Sequence, residues 1–105
     1  MAVKKQFRNL NELLAGATKP VLVDFYADWC GPCKMMAKVL EETNEDLRGR
    51  IQVVKINTEK YPGIASQFNI RALPTLIVFH RGQQVQRIEG LIGTDELVDR
   101  LRGLV

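Results

Sequence analysis

The sequence predicts an α/β fold in which a central mixed β-sheet is flanked by helices on both faces. Two apolar, β-branched-rich runs, residues 21–27 and 51–57, are separated by a long amphipathic segment, the pattern of a parallel β-α-β unit. Two later runs, residues 75–79 and 85–89, are separated only by a short turn and read as an antiparallel hairpin. Both kinds of connection in one small chain imply a mixed sheet. At 105 residues the chain suffices for one apolar core and not for two, so one domain over residues 1–105 is expected.

Each element follows from local pattern. A short edge strand is expected near residues 3–7, then a short helix carrying Leu10, Leu13 and Leu14, capped by Asn9 or Asn11 and broken by Gly16-Ala17-Thr18-Lys19-Pro20. Residues 21–27 are almost continuously apolar, as in a strand covered on both faces; Asp24 is the exception. From Pro32 to about Leu47, Met36, Val39, Leu40, Thr43 and Leu47 recur at three- and four-residue steps, with Lys34, Lys38, Glu41, Glu42 and Glu45 largely elsewhere, which reads as one long helix stopped at Arg48-Gly49-Arg50. Residues 51–57 form the next strand, and residues 62–68 suit a short helix with Pro62 in its first turn. Ala72-Leu73-Pro74 leads into the hairpin, which turns at Arg81-Gly82-Gln83. In the last helix Thr94 is the expected N-cap, Asp95 and Glu96 occupy the positive first turn, and Leu97, Val98, Leu101 and Leu104 form the apolar stripe.

Composition excludes several function classes. With 46% hydrophobic and 26% charged residues, the chain is far from the profile of disorder. The net charge is +3, and 15 basic and 12 acidic residues are dispersed along the chain, so the clustered basic groove of a nucleic-acid binder is not expected. Two lysines follow Met1-Ala2-Val3 with no apolar stretch behind them, and no long uncharged run occurs later; this argues against secretion and membrane insertion. A targeting peptide removed upstream would leave no trace, so cytosol and organelle stroma both stay open.

The chain has two cysteines, too few for a multi-bridge secreted scaffold, and their spacing carries the meaning. Cys30 lies between a buried strand and a helix start, where unpaired N–H groups and the positive helix end favour a thiolate, the nucleophilic form. Two intervening residues let Cys33 reach Cys30 within one helical turn; Pro32 suits that turn, and Gly31 permits a close turn and a bare approach for a partner. The alternatives are two buried small hydrophobes, or a zinc site. Zinc needs about four Cys or His ligands, and outside the pair there is only His80; no metal and no cofactor are expected.

The run Phe25-Tyr26-Ala27-Asp28-Trp29-Cys30-Gly31-Pro32-Cys33-Lys34-Met35 resembles the active-site segment of the thioredoxin family, and the likeness extends over essentially the whole chain. It implies the thioredoxin fold, with Asp24 as the family's buried aspartate, Lys55 as its lysine partner, Leu73-Pro74-Thr75 as the cis-proline loop, Gly82 as the hairpin turn and Gly90 as the substrate-groove glycine. By this likeness and by the chemistry of the motif, Cys30 attacks a target disulfide and Cys33 resolves the mixed disulfide. Asp24, in an apolar strand, should have a raised pKa and accept the proton of Cys33, moderated by Lys55; the alternative is a purely structural ion pair. Trp29, Gly31, Pro32, Leu73, Pro74, Gly90 and Leu91 would form a shallow docking surface, with the backbone of Leu73 pairing with an extended target segment.

Some positions depart from common thioredoxins. Lys38 stands where a helix-kinking proline is frequent, Tyr26 replaces a frequent Trp, and Thr58 and Glu89 make the groove more polar. Residues 54–62 are similar to those of y-type thioredoxins of plastids and cyanobacteria. That subtype implies peroxiredoxins or methionine sulfoxide reductases as targets and an NADPH- or ferredoxin-dependent thioredoxin reductase as electron donor; a monomer is expected, in bacterial cytosol or, if a transit peptide was removed, in plastid stroma. Two rival functions use the same fold: a binding module without redox chemistry, and a disulfide isomerase or oxidant. Retention of both cysteines, Asp24 and Pro74 weighs against the first, and the Gly31-Pro32 dipeptide against the second.

Overall fold

The computed structural model describes the strand Val3–Lys4 and residues 10–105. In chain order the elements are β1 (Val3–Lys4), α1 (Leu10–Gly16), β2 (Val21–Tyr26), α2 (Gly31–Asp46), β3 (Gln52–Asn57), α3 (Pro62–Gln67), β4 (Thr75–His80), β5 (Gln83–Glu89) and α4 (Thr94–Arg102). The strands form one mixed sheet in the order β1-β3-β2-β4-β5. β3 runs parallel to β1 and β2, while β4 is antiparallel to both β2 and β5. The β-α-β unit (β2-α2-β3) and the hairpin (β4-β5) read from the sequence are therefore both present, joined where β2 of the first pairs with β4 of the second.

Alternation along the strands divides the core into two layers. On one face Leu22, Val53, Leu76, Val78 and Ile88 pack against Met36 and Leu40 of α2 and Leu97, Val98 and Leu101 of α4. On the other, Val21, Val23, Phe25, Val54, Ile56, Ile77 and Phe79 meet Leu10 and Leu14 of α1 and the partly buried Ile64 and Phe68. Phe68 lies between Phe25 and Phe79, with ring centroids 5.9 and 5.6 Å away, within the range of favourable aromatic pairs. Arg87 of β5 holds this corner by donating to the carbonyl oxygens of Phe68 and Asn69 at 2.7 and 2.6 Å, satisfying acceptors that the end of α3 leaves open.

Three local expectations change. Asn11 lies inside α1 rather than capping it, and its side-chain oxygen accepts from Gln67 Nε2 at 3.5 Å; Asn9, and residues 5–7 of the expected edge strand, lie outside the described residues. Thr94 is the first residue of α4, after the N-cap Gly93. Its hydroxyl donates to Glu42 Oε1 at 2.6 Å, so it ties α4 to α2 instead of capping its own helix. The hairpin loop consumes only Arg81 and Gly82, both with positive φ (56° and 81°), as a two-residue turn matched to strand twist requires. β5 consequently begins at Gln83, earlier than the expected residue 85.

Candidate active site

β2 delivers the chain to the edge of the core, where Ala27 is buried and its carbonyl accepts from the Cys30 N–H at 3.2 Å. That turn places Cys30, in extended conformation, as the N-cap of α2; its Sγ accepts from the Cys33 N–H at 3.2 Å. Cys30 and Cys33 are joined in a disulfide, with Cα atoms 5.3 Å apart. Both are buried against Ala27, Tyr26 and Leu73. When the bond opens, the Cys30 sulfur sits on the unpaired amides and the positive end of a 16-residue helix, a setting that stabilises an anion. Gly31 does not take a positive φ, so the turn does not need glycine for its backbone. What glycine leaves there is open space, since an added Cβ would meet nothing within 4 Å.

The loop before β4 closes the site from the side. The Leu73–Pro74 peptide is cis, the Thr75 hydroxyl donates to the Ala72 carbonyl at 2.6 Å, and the Gly90 N–H donates to the Pro74 carbonyl at 2.9 Å. Leu73 is thereby held against the cysteines, and Pro74 is buried. Trp29 is 70% exposed, on the rim as expected rather than in the core. Its indole N–H donates to Glu59 Oε2 at 3.1 Å. A cleft of about 340 Å³ lies between Trp29 and Leu73, with Thr58, Ile70 and Arg71 in its wall. Leu91 belongs to a second, mostly apolar groove of about 520 Å³, where it faces Met35 and Val39 of α2.

Behind the dithiol, Asp24 is fully buried, and among the described residues neither carboxylate oxygen has a hydrogen-bond partner. Burial pushes its pKa up to about 7, against the opposing charge of Lys55. Lys55 is its register partner on β3, but among the described residues no ion pair joins them; the ammonium lies instead over the Tyr26 ring, 5.1 Å from its centroid. A cavity of about 140 Å³ opens here, lined by Cys33, Ala37, Tyr26, Asp28, Lys34 and Lys55. The sequence reading missed Glu59 as the partner of Trp29, Met35 as the neighbour of Leu91, and Tyr26 as the seat of Lys55. Register would have exposed the last, because Tyr26 is two residues beyond Asp24 on the same strand face.

Two sulfurs that close into a bond within one helical turn, the first at the positive helix end, take up and release two electrons by exchange with other disulfides. That places the protein among the dithiol-disulfide oxidoreductases. The thioredoxin family model matches residues 1–103, and the chain belongs to the thioredoxin family. It is 58% identical over its full length and that of the relative to thioredoxin-like protein slr0233 of Synechocystis sp. (strain ATCC 27184 / PCC 6803 / Kazusa). It is 49% identical to thioredoxin Y1, chloroplastic, of Arabidopsis thaliana, over 95% of this chain and 58% of that protein. Among solved structures it is similar to a chloroplastic thioredoxin z, with TM-score 0.87 and 29% identity over 99% of this chain and 95% of that chain. The high sequence similarity to slr0233 and thioredoxin Y1 is consistent with the y-type subtype. Among the described residues no helix is long and apolar enough to cross a membrane.

Proposed function

We propose that residues 1–105 act as one thioredoxin domain that reduces disulfides in target proteins, with Cys30 as nucleophile and Cys33 as resolver. The observation that carries this reading is the position of Cys30 Sγ, which caps α2 while lying within bonding reach of Cys33. The Cys30 thiolate attacks one sulfur of the target disulfide, forming a mixed disulfide and releasing the first target thiolate. Asp24, ionised at neutral pH only in part because of its burial, takes the Cys33 proton through the cavity beside Lys55. The Cys33 thiolate then attacks Cys30 Sγ and expels the second target thiolate. The target gains two electrons, and the protein leaves as the Cys30–Cys33 disulfide.

Trp29, Gly31, Pro32, Leu73, Gly90 and Leu91 make the docking surface, the buried Pro74 next to Leu73 supports it from within, and the backbone of Leu73 pairs with an extended target segment. Similarity to thioredoxin Y1 and to the Synechocystis protein supports y-type partners: peroxiredoxins or methionine sulfoxide reductases as targets, and an NADPH- or ferredoxin-dependent reductase as donor, in bacterial cytosol or plastid stroma. Insulin turbidity with dithiothreitol tests the activity. The wild type precipitates the insulin B chain faster than dithiothreitol alone, and Cys30→Ser does not. Equal rates would reject the reductase reading in favour of a binding module. A Cys33→Ser variant, which cannot resolve its mixed disulfides, retains the targets covalently for identification.

A further inference from the structure

Asp24 and Tyr26 lie two residues apart on β2, so their side chains share a sheet face, and their register partners on β3 are Lys55 and Asn57. The four residues form a block in which Lys55 has two possible seats. One is the Asp24 carboxylate, fully buried and without hydrogen-bond partners among the described residues. The other is the Tyr26 ring, half-buried at the rim. The ammonium takes the ring, at 5.1 Å. Burying it against Asp24 would strip water from two charges, a cost that a single Coulombic contact often fails to recover. The ring face offers an electrostatic partner that leaves the ammonium partly hydrated.

We propose that Tyr26 is a positioning residue: its ring holds the Lys55 ammonium at the mouth of the cavity that links Cys33 to the Asp24 strand, and thereby fixes the positive charge that Asp24 experiences. The bearing on turnover rests on the reading of Asp24 as proton acceptor; the placement of Lys55 does not. Other charged or titratable groups face this block from every side: Asp28 after β2, Cys33 and Lys34 on α2, and Tyr61 ahead of α3. Of the two residues opposite Asp24 in register, Lys55 and Leu76, Lys55 carries the charge. An aromatic face is required at position 26, whereas the phenol oxygen is not.

The test is a carboxyl-carbon NMR titration of Asp24 in the oxidised protein, where the cysteines do not titrate. It compares the wild type with Tyr26→Leu, Lys55→Gln, the double variant and Tyr26→Phe. Without the ring the Lys55 ammonium moves out to solvent, because burial against Asp24 stays costly, and Tyr26→Leu raises the Asp24 midpoint by roughly a few tenths of a pH unit, since Lys55 is the charge that holds it down. In the Lys55→Gln background the same substitution produces no such rise, and Tyr26→Phe matches the wild type. Shifts that are equal in the two Lys55 backgrounds, or no upward shift, overturn the proposal, because Tyr26 would then act by burial alone. If Tyr26→Leu does not fold, the wild type still decides the matter. Lys55 ε-methylene protons over the ring resonate upfield of an ordinary lysine, and unshifted protons reject the contact. Unchanged resolution by Asp24→Asn would remove the proton-acceptor role while leaving this coupling intact.

Discussion

The Cys33 amide donates to Cys30 Sγ at 3.2 Å, so the sulfur proposed as the nucleophile is also the cap of α2. Cys30→Ser should therefore fold normally, because a serine oxygen is a good N-cap, and should be inactive for lack of a thiol. In the reduced wild type, iodoacetamide should alkylate Cys30 at least about ten times faster than Cys33 at neutral pH, since the helix end favours only the first thiolate. Mass-spectrometric rates for the two sites check this. Equal rates would mean that the cap does not activate the sulfur.

Asp24 makes stability depend on pH with a definite sign. Its pKa is about 7 in the fold against 3.8 for an ordinary aspartate, so the folded state binds the proton more tightly than the unfolded chain. The contribution of Asp24 to stability is greatest below about pH 4, falls as pH rises through 7 and is flat above, a loss on the order of 4 kcal/mol. Asp24→Asn removes this dependence. Guanidinium unfolding should find the variant close to the wild type at pH 4 and clearly more stable at pH 8. A difference that does not change with pH would mean that the carboxylate is not penalised by burial.

Gly90 combines a φ of 88° with an N–H bond to the Pro74 carbonyl. An added Cβ meets nothing within 4 Å, so the cost of substitution lies in the backbone and not in a clash. Gly90→Ala should lose about 1–2 kcal/mol, and Gly90→Asn less, because asparagine tolerates positive φ. Denaturant midpoints measure both. An equal loss for the two variants would point to blocked space rather than backbone strain.

The sequence revealed what depends on local spacing. The near-continuous apolar run around Asp24 betrays a strand covered on both faces, and the three- and four-residue steps among Met36, Val39, Leu40, Thr43 and Leu47 mark the buried stripe of α2 and its C-cap. Cys30 and Cys33 were legible because their chemistry needs one helical turn and no distant partner. Pairings made across long separations were not. Thr94 bonds Glu42, 52 residues away, and Trp29 bonds Glu59, 30 away; both follow from how elements pack, which spacing alone does not encode. Thr94 therefore looked like a cap, because its neighbours Asp95 and Glu96 fit a helix start whichever residue precedes them.

The Trp29–Glu59 bond separates a stability role from a docking role. Both residues are exposed, so the bond should add less than about 1 kcal/mol to the fold. Its effect is on direction: it fixes the indole at the edge of the cleft shared with Thr58 and Leu73. Glu59→Ala frees the indole and should leave the unfolding midpoint nearly unchanged, while lowering kcat/KM for insulin reduction several-fold, chiefly through KM. Glu59→Gln keeps an oxygen acceptor and should lie between the two. Trp29 is the only tryptophan of the chain, so its emission reports the change directly, with a red shift and lower anisotropy in Glu59→Ala. Altered emission with unaltered KM would show that target docking does not use a fixed Trp29, and would shift the specificity of this face to Leu73, Gly90 and Leu91.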